Sequence, residues 1–379
     1  MSDEINAVRR SRYHVGMRLR RKFLLAGIIL AVAGCAHEPA PRAPATSVPG
    51  RALIEHAIPP GVPDRAGWSE DMNAAFVALG LTPTPEGVCA VVAVTAQESG
   101  FHVDPIIPDL GAIAWREIER RAAHDAIPVS LVHQVLELKS PTGRSYAERI
   151  DHARTEKELS DIFEDFTGAI PLGRSLFASW NPIRTRGPMQ VNVAFAEQFA
   201  AAHPYPYPIK QSIADEVFTR RGSLYFGVAH LLDYQAPYDR YLYRFADFNA
   251  GQYASRNAAF QRAVSVASGQ PLDADGALLP HAGGGGTGHT ELAVRALRLS
   301  PHLDEAAIHA ALAQGKTQEF ERTTLYQAVF ALAAQTAGRP LPRAVVPQIR
   351  LEGPKISRNL TTEWYARRVD ERFRRCLGR

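Results

Sequence analysis

The clearest candidate for chemistry is Glu98, which ends a largely apolar segment and is followed by Ser99. Val91, Val92 and Val94 lie on the approach to this carboxyl group, and desolvation by apolar neighbours raises a carboxyl pKa. A carboxyl that stays protonated near neutral pH can donate its proton to a leaving oxygen, as cleavage of a glycosidic bond requires. Glu98 is therefore a candidate general acid. The alternative role is that of an exposed helix-end carboxylate in a salt bridge.

Two further motifs lie at the ends of predicted helices. Residues 187–191 read Gly-Pro-Met-Gln-Val and form a turn before a helix, and residues 248–251 read Phe-Asn-Ala-Gly and close another helix. Taken alone, each motif is also typical of ordinary structure, because turns and helix ends commonly use these residue types. Their order along the chain, after the segment that ends at Glu98, is what makes them informative.

In this order the three motifs resemble those of the lysozyme-like lytic transglycosylases of the soluble and goose-type group. That group shares a Glu-Ser helix end, a Gly-Leu-Met-Gln turn and an aromatic-Asn-Ala-Gly helix end, and the resemblance covers about residues 69–264. It implies a mainly α, lysozyme-like helical domain that cleaves the bond between N-acetylmuramic acid and N-acetylglucosamine in peptidoglycan. Glu98 would act first as acid and then as base, while the 6-hydroxyl of the sugar closes a 1,6-anhydro ring.

The resemblance also implies roles for the other site residues. Gln190 would reach into the glycan groove and hydrogen-bond the sugar, and Gly187 would let the backbone pass close to it. Asn249 would bind substrate or position Glu98. Ser99 would either hold the Glu98 carboxyl or satisfy the end of the helix. Met189 would either line the substrate site or pack in the core. No cofactor or metal is implied, and the histidines show no paired metal-ligand spacing. The full set of substrate-binding candidates is Ser99, Gly187, Met189, Gln190, Phe248 and Asn249.

This chain departs from the resemblance at two places. Phe248 stands where the relatives usually carry a tyrosine whose hydroxyl contacts the catalytic carboxyl, so Tyr225, Tyr243 or Tyr253 would have to supply that contact. An insert of about residues 109–181 separates the first two motifs. Its apolar residues recur at helical spacing and a capping box begins at Thr155, which predicts a helical lobe over 111–168. The lobe would roof the groove or dock a protein partner.

Two other functions remain open at this point. The residues alone do not separate transglycosylation from hydrolysis of the same bond by a muramidase. A glycan-binding or scaffolding lipoprotein without turnover is the alternative from another class, and Phe248 and the insert favour it. The intact Glu98 argues against it, because a pure binder gains little from a desolvated carboxylic acid.

The charge distribution excludes nucleic acid as an expected partner. The chain has a formal net charge of +4, but its first 34 residues hold seven basic and two acidic side chains. The remainder is therefore close to neutral, and the basicity belongs to a targeting segment.

That segment predicts a lipoprotein signal peptide over residues 1–34. The apolar run at 23–33 is shorter than the roughly 20 residues that span a bilayer, and Val-Ala-Gly-Cys at 32–35 has the form of a lipobox. Cys35 is thus the expected lipidation site, although a signal peptide with a chance cysteine would look similar. Because Ala36 follows rather than aspartate, we expect a lipid anchor in the outer membrane that faces the periplasm.

The remaining layout follows from composition and helix signals. A Pro/Ala-rich tether is predicted over 35–58, the lysozyme-like domain over 59–268, a Gly-rich linker over 269–288 and a C-terminal helical region over 289–379. Thr84 followed by Pro85 predicts the start of the helix that leads to Glu98. Cys89 and Cys376 are predicted either to form a disulfide or to stay as two buried thiols.

Overall fold

The computed structural model describes residues 48–170, 181, 183–280, 288–299, 303–351 and 358–379. The described part is mainly helical, with 61% helix, 3% strand and 16 α-helices, which confirms the predicted fold class. The predicted signal peptide, the lipidation site at Cys35 and residues 281–287 of the Gly-rich linker lie outside the described residues.

The helices carry labels in chain order. They are α1 (Val48–Ala57), α2 (Arg65–Ala78), α3 (Pro85–Glu98), α4 (Leu110–His124), α5 (Val129–Leu136), α6 (Tyr146–Asp151), α7 (Glu156–Gly168), α8 (Val193–Ala202), α9 (Ile213–Glu216), α10 (Arg220–Leu232), α11 (Tyr241–Ala250), α12 (Ala254–Ser268), α13 (His289–Ala296), α14 (Glu305–Ala313), α15 (Thr324–Ala337) and α16 (Thr362–Leu377). Two short strands, β1 (Thr185–Arg186) and β2 (Val191–Asn192), pair antiparallel around the second motif. None of the described helices has the length and apolar character needed to cross a membrane.

Helix α3 is the central helix of the main core. It begins as predicted, because the Thr84 hydroxyl accepts a hydrogen bond from the Gly87 amide at 3.1 Å and Pro85 occupies the first turn. Every residue from Gly87 to Thr95 is buried, so the helix is enclosed by its neighbours. Only its last turn approaches the surface, and that turn ends at Glu98.

Helix α16 packs into this same core, against α3 and α11. Its buried face presents Tyr365, Val369 and Phe373, and Cys376 forms a disulfide with Cys89 of α3. The predicted C-terminal region 289–379 is therefore not one separate unit. Its last helix completes the main core, because its apolar face finds a partner only there.

Helix α1 corrects the predicted tether. Residues 48–57 were assigned to an extended Pro/Ala-rich segment, but they form a helix whose Ile54 is fully buried in the main core. Ile58, the next apolar residue at helical spacing, is also fully buried. Burial of these apolar side chains stabilises the helix, so residues 48–57 are not an extended tether.

Helices α4–α7 form the lobe predicted for residues 111–168, with a small apolar core of their own. Tyr146 and Ile150 of α6 pack there with Leu159 and Ile162 of α7. The capping box at the start of α7 is present, with the Thr155 hydroxyl and the Glu158 carboxylate each capping the other's backbone amide. The prediction of a helical lobe is confirmed.

A third apolar cluster joins α12 to helices α13–α15. Phe260 of α12 packs edge-on against Phe320 at 5.0 Å, and Phe330 of α15 lies behind them. Helix α15 ends at Gly338 in the left-handed conformation, as the glycine after its periodic apolar residues predicts. This cluster is joined to the main core by the contact between α11, which belongs to the main core, and α12, which belongs to the third cluster.

Candidate active site

Glu98 is half-buried at the last position of α3 and is held by a tyrosine from the C-terminal helix. The Tyr365 hydroxyl donates a hydrogen bond of 2.5 Å to Glu98 Oε1. Burial raises the pKa of Tyr365 well above its usual value, and the charge of Glu98 and this hydrogen bond raise it further. The hydroxyl therefore stays protonated and acts as a fixed donor to the carboxylate.

Tyr365 supplies the hydroxyl that Phe248 lacks. The sequence offered Tyr225, Tyr243 and Tyr253 for this contact, but the hydroxyl that donates to Glu98 in the structure is that of Tyr365, and the Tyr225 hydroxyl donates to the Pro204 carbonyl oxygen. The tyrosine that reaches Glu98 lies 267 positions away in the chain, in the region that the three motifs leave unmatched.

The two cysteines could have identified this tyrosine. Cys89 precedes Glu98 by nine residues and Cys376 follows Tyr365 by eleven. At 1.5 Å per helical residue these spacings are about 13 Å and about 16 Å. A disulfide between two antiparallel helices therefore brings Tyr365 opposite Glu98, which is the arrangement in the structure.

The third motif lies beside the same helix. Thr362, one turn before Tyr365, donates a 2.8 Å hydrogen bond from its hydroxyl to Asn249 Oδ1. Asn249 is exposed at the end of α11, and Phe248 is buried with its ring 5.1 Å from that of His230. Glu98 and Asn249 are thus brought together through adjacent turns of α16.

Two buried titratable groups shape this end of α11. Asp247 accepts hydrogen bonds from the hydroxyls of Tyr234 and Tyr238 and from the amides of Tyr253 and Ser255, and burial raises its pKa to about 6. These four donors fix the turn that follows Asn249. Burial lowers the pKa of His230 to about 4, so the imidazole beside Phe248 is neutral at neutral pH.

The second motif is a tight turn that faces the protein rather than open space. Gly187 has φ of +70°, and a Cβ there would come within 2.1 Å of the Val217 carbonyl oxygen. Packing against Val217 is therefore sufficient to require glycine at this position. Met189 is fully buried against Gly227 of α10 and contributes core packing.

The Gln190 amide is already engaged by protein groups. Gln190 Nε2 donates to Glu156 Oε2 at 2.9 Å and to the Gly187 carbonyl at 3.4 Å, and its Oε1 accepts from the Thr185 hydroxyl at 2.8 Å. Both amide hydrogens are thereby used. Gln190 ties the turn to α7 of the lobe, and only a lone pair on Oε1 is left for a sugar.

The start of α7 also connects this turn to the loop after Glu98. The Asp104 carboxyl, six residues beyond Glu98, lies near the side chain of Thr155, which precedes the Glu156 that binds Gln190. Burial raises the pKa of Asp104, and the side chain of Thr155 partly offsets that effect. The start of α7 thus lies close to both the second motif and the loop that follows Glu98.

Ser99 satisfies the helix end, one of the two roles predicted for it. Its hydroxyl donates to the Thr95 carbonyl oxygen at 3.2 Å. The loop that follows is anchored by Phe101, whose buried ring packs edge-on against Trp68 at 5.1 Å. The backbone that carries Glu98 is therefore held on both sides, by α3 and by this aromatic pair.

The comparisons with known proteins extend over nearly the whole chain. A family model described as "Protein of unknown function (DUF1615)" matches residues 61–379, which include all three motifs and Tyr365. "Uncharacterized protein YaiW" from Escherichia coli (strain K12) is 48% identical over 351 residues, covering 92% of this chain and 96% of that protein. No solved structure matches. None of these descriptions carries an activity.

Proposed function

Because this chain belongs to the DUF1615 family, whose description gives no activity, we propose its function from the site: it is a peptidoglycan lytic transglycosylase. The observation that carries the proposal is the hydrogen bond from Tyr365 to Glu98 at the end of a buried helix. It reproduces, from an unrelated part of the chain, the tyrosine–carboxyl contact that the resemblance implies and that Phe248 cannot make.

In this mechanism Glu98 does both proton transfers. Its carboxyl protonates the oxygen that leaves the anomeric carbon of N-acetylmuramic acid, and the resulting carboxylate then takes the proton of the same sugar's 6-hydroxyl. That oxygen bonds the anomeric carbon, so the products are a 1,6-anhydro end and a new N-acetylglucosamine end. Tyr365 holds one carboxyl oxygen of Glu98 in place. Asn249 is exposed and is bound by Thr362, one turn before Tyr365 on α16, so it can contact the substrate.

The first test is whether the protein cuts glycan strands at all. We expect the purified protein, incubated with isolated sacculi, to release soluble muropeptides in proportion to enzyme concentration and time. A glycan-binding lipoprotein without turnover would instead co-sediment with the sacculi and release nothing. The latter result would contradict the proposal.

Tyr365→Phe tests the contact that carries the proposal. Hydrogen bonds to charged groups contribute about 1.5–3 kcal/mol, so we expect kcat for muropeptide release to fall roughly 10- to 100-fold. KM should stay nearly unchanged, because the lost hydroxyl contacts Glu98 and not the sugar. Tyr241→Phe is the matched control, since it removes a tyrosine hydroxyl from a different contact of α16, that with α11, where the ring stacks on Phe373 at 4.9 Å. Equal kcat for both variants would refute the role of Tyr365.

The proposal also assigns a location, the periplasmic face of the outer membrane. The lipobox that ends at Cys35 would be the site where a diacylglycerol is attached to the cysteine at the mature N-terminus. The lipid would hold the protein close to the peptidoglycan layer. We expect wild-type protein to incorporate a radiolabelled fatty acid and to fractionate with the outer membrane. Cys35→Ala should abolish the label and leave the precursor uncleaved or released. Unlabelled, soluble wild-type protein would contradict this location.

A further inference from the structure

An open groove lies beside the first turns of α16, on the side away from Glu98. Its volume is about 500 Å³, within the range of about 300–1,000 Å³ typical of ligand sites. Apolar and basic side chains both contribute to its lining. We call it the arginine groove, and its lining residues are Arg240, Leu242, Tyr243, Arg262, Val345, Val346, Pro347, Gln348, Ile349, Arg350, Thr361, Glu363 and Arg367.

Backbone hydrogen bonds hold one wall of the arginine groove in a fixed, extended form. The Val345 amide donates to the Ser255 carbonyl at 3.0 Å, and the Gln348 amide donates to the Ala274 carbonyl at 2.8 Å. The Thr362 amide, at the start of α16, donates to the Ile349 carbonyl at 3.0 Å. The wall is thus anchored to α12 and to α16, and binding would not have to order it first.

The charges of the arginine groove are strongly unbalanced. Four guanidinium groups line it against one carboxylate, Glu363, which is already paired with Arg367 at 2.7 Å. Arg240, Arg262 and Arg350 are exposed and have no carboxylate partner among the residues that the structure describes. Guanidinium groups bind carboxylates in a bidentate geometry, so these three are suited to an anionic ligand that carries several carboxylates.

The position of the groove fits a branch of the glycan substrate. Glu363 and Arg367 each lie two residues from Tyr365, which is about 200° around the axis of α16. Glu98 and the groove therefore lie on opposite sides of one helix, whose diameter is about 10–12 Å. Four extended peptide residues span about 13–14 Å, which is slightly more than the diameter of this helix.

We propose that the arginine groove binds the acidic stem peptide that branches from N-acetylmuramic acid. This inference rests on the proposed function, because it takes the ligand from the same peptidoglycan substrate. The alanine side chains of the stem can pack against the apolar residues of the lining. Its glutamate and terminal carboxylates can pair with Arg240, Arg262 and Arg350. The groove would then make the enzyme prefer strands that still carry their peptides over strands stripped of them.

Binding of the free peptide tests the groove without any cleavage. The probe is the synthetic tetrapeptide Ala-γ-Glu-diaminopimelate-Ala, titrated calorimetrically into the full-length protein. We expect Arg262→Gln combined with Arg350→Gln to weaken binding at least 10-fold, and added salt to weaken binding to wild type. Arg116→Gln, an exposed arginine on α4 outside the groove, should bind the peptide as wild type does. Equal affinity of the double variant and wild type would overturn the inference, as would displacement of the peptide by equimolar inorganic phosphate.

A cleavage assay separates failure of this inference from failure of the proposed function. Wild type is compared on intact sacculi and on strands whose peptides an amidase has removed. We expect a preference for intact sacculi that the double arginine variant loses. Equal cleavage of both substrates by wild type would overturn the groove inference and leave the function standing. Cleavage of neither substrate, with arginine-dependent peptide binding intact, would refute the function and support the groove.

Discussion

Glu98→Gln is expected to lower the rate of muropeptide release by on the order of a hundred- to ten-thousand-fold, the usual contribution of a general acid. Glutamine keeps the size of the side chain, and its carbonyl oxygen can still accept the hydrogen bond from Tyr365. It has no proton to give to the leaving oxygen and cannot act as the base. The fold and the affinity for sacculi should therefore be unchanged while turnover is lost.

The control for this variant lies on the same helix. Glu86→Gln removes an exposed carboxylate from the first turn of α3, far from the site, and should retain wild-type turnover. Thermal unfolding and co-sedimentation with sacculi are measured on both variants, so that loss of structure is detected separately. Release of muropeptides by Glu98→Gln at the wild-type rate would show that Glu98 is not the acid.

The second large effect concerns the disulfide between α3 and α16. Replacing both Cys89 and Cys376 with serine removes a cross-link that spans 287 positions of the chain, and loss of such a native disulfide typically costs about 2–5 kcal/mol of unfolding free energy. Activity should fall as well, because α16 carries the Tyr365 that holds Glu98. Denaturant unfolding and muropeptide release, measured on the same preparation, report the two effects.

Reduction of the wild-type protein provides the comparison for this variant. Dithiothreitol should lower the unfolding free energy and the activity of wild type towards those of the double serine variant, which itself should not respond. Unfolding curves of wild type that coincide with and without reductant would mean that the disulfide does not hold α16 in place. In that case the close link between α16 and the site would lose its support.

Local signals in the sequence predicted where several helices begin or end. The Thr84–Pro85 start of α3, the capping box of α7 and the glycine end of α15 are interactions between residues a few positions apart. Such patterns are visible in the sequence because the backbone groups that they satisfy belong to the same helix. They were sufficient to place Glu98 at a helix end and to identify the lobe as helical.

Contacts between distant segments were not predictable in the same way. The packing that requires glycine at position 187 involves Val217, and the Gln190 amide is engaged by Glu156, 34 positions earlier in the chain. Tyr365 belongs to none of the three motifs and lies 267 positions from Glu98. Each of these residues gained its role from tertiary packing, which motif spacing alone does not encode.

The most direct test of the central claim is the mass of the muropeptides that wild type and Glu98→Gln release from the same sacculi. We expect wild type to produce 1,6-anhydro ends, which are lighter than reducing ends by one water. We expect Glu98→Gln to produce neither anhydro ends nor reducing ends. Reducing ends from wild type would contradict transglycosylation and identify a muramidase that uses the same acid. Anhydro ends that persist undiminished in Glu98→Gln would contradict the assignment of Glu98 itself.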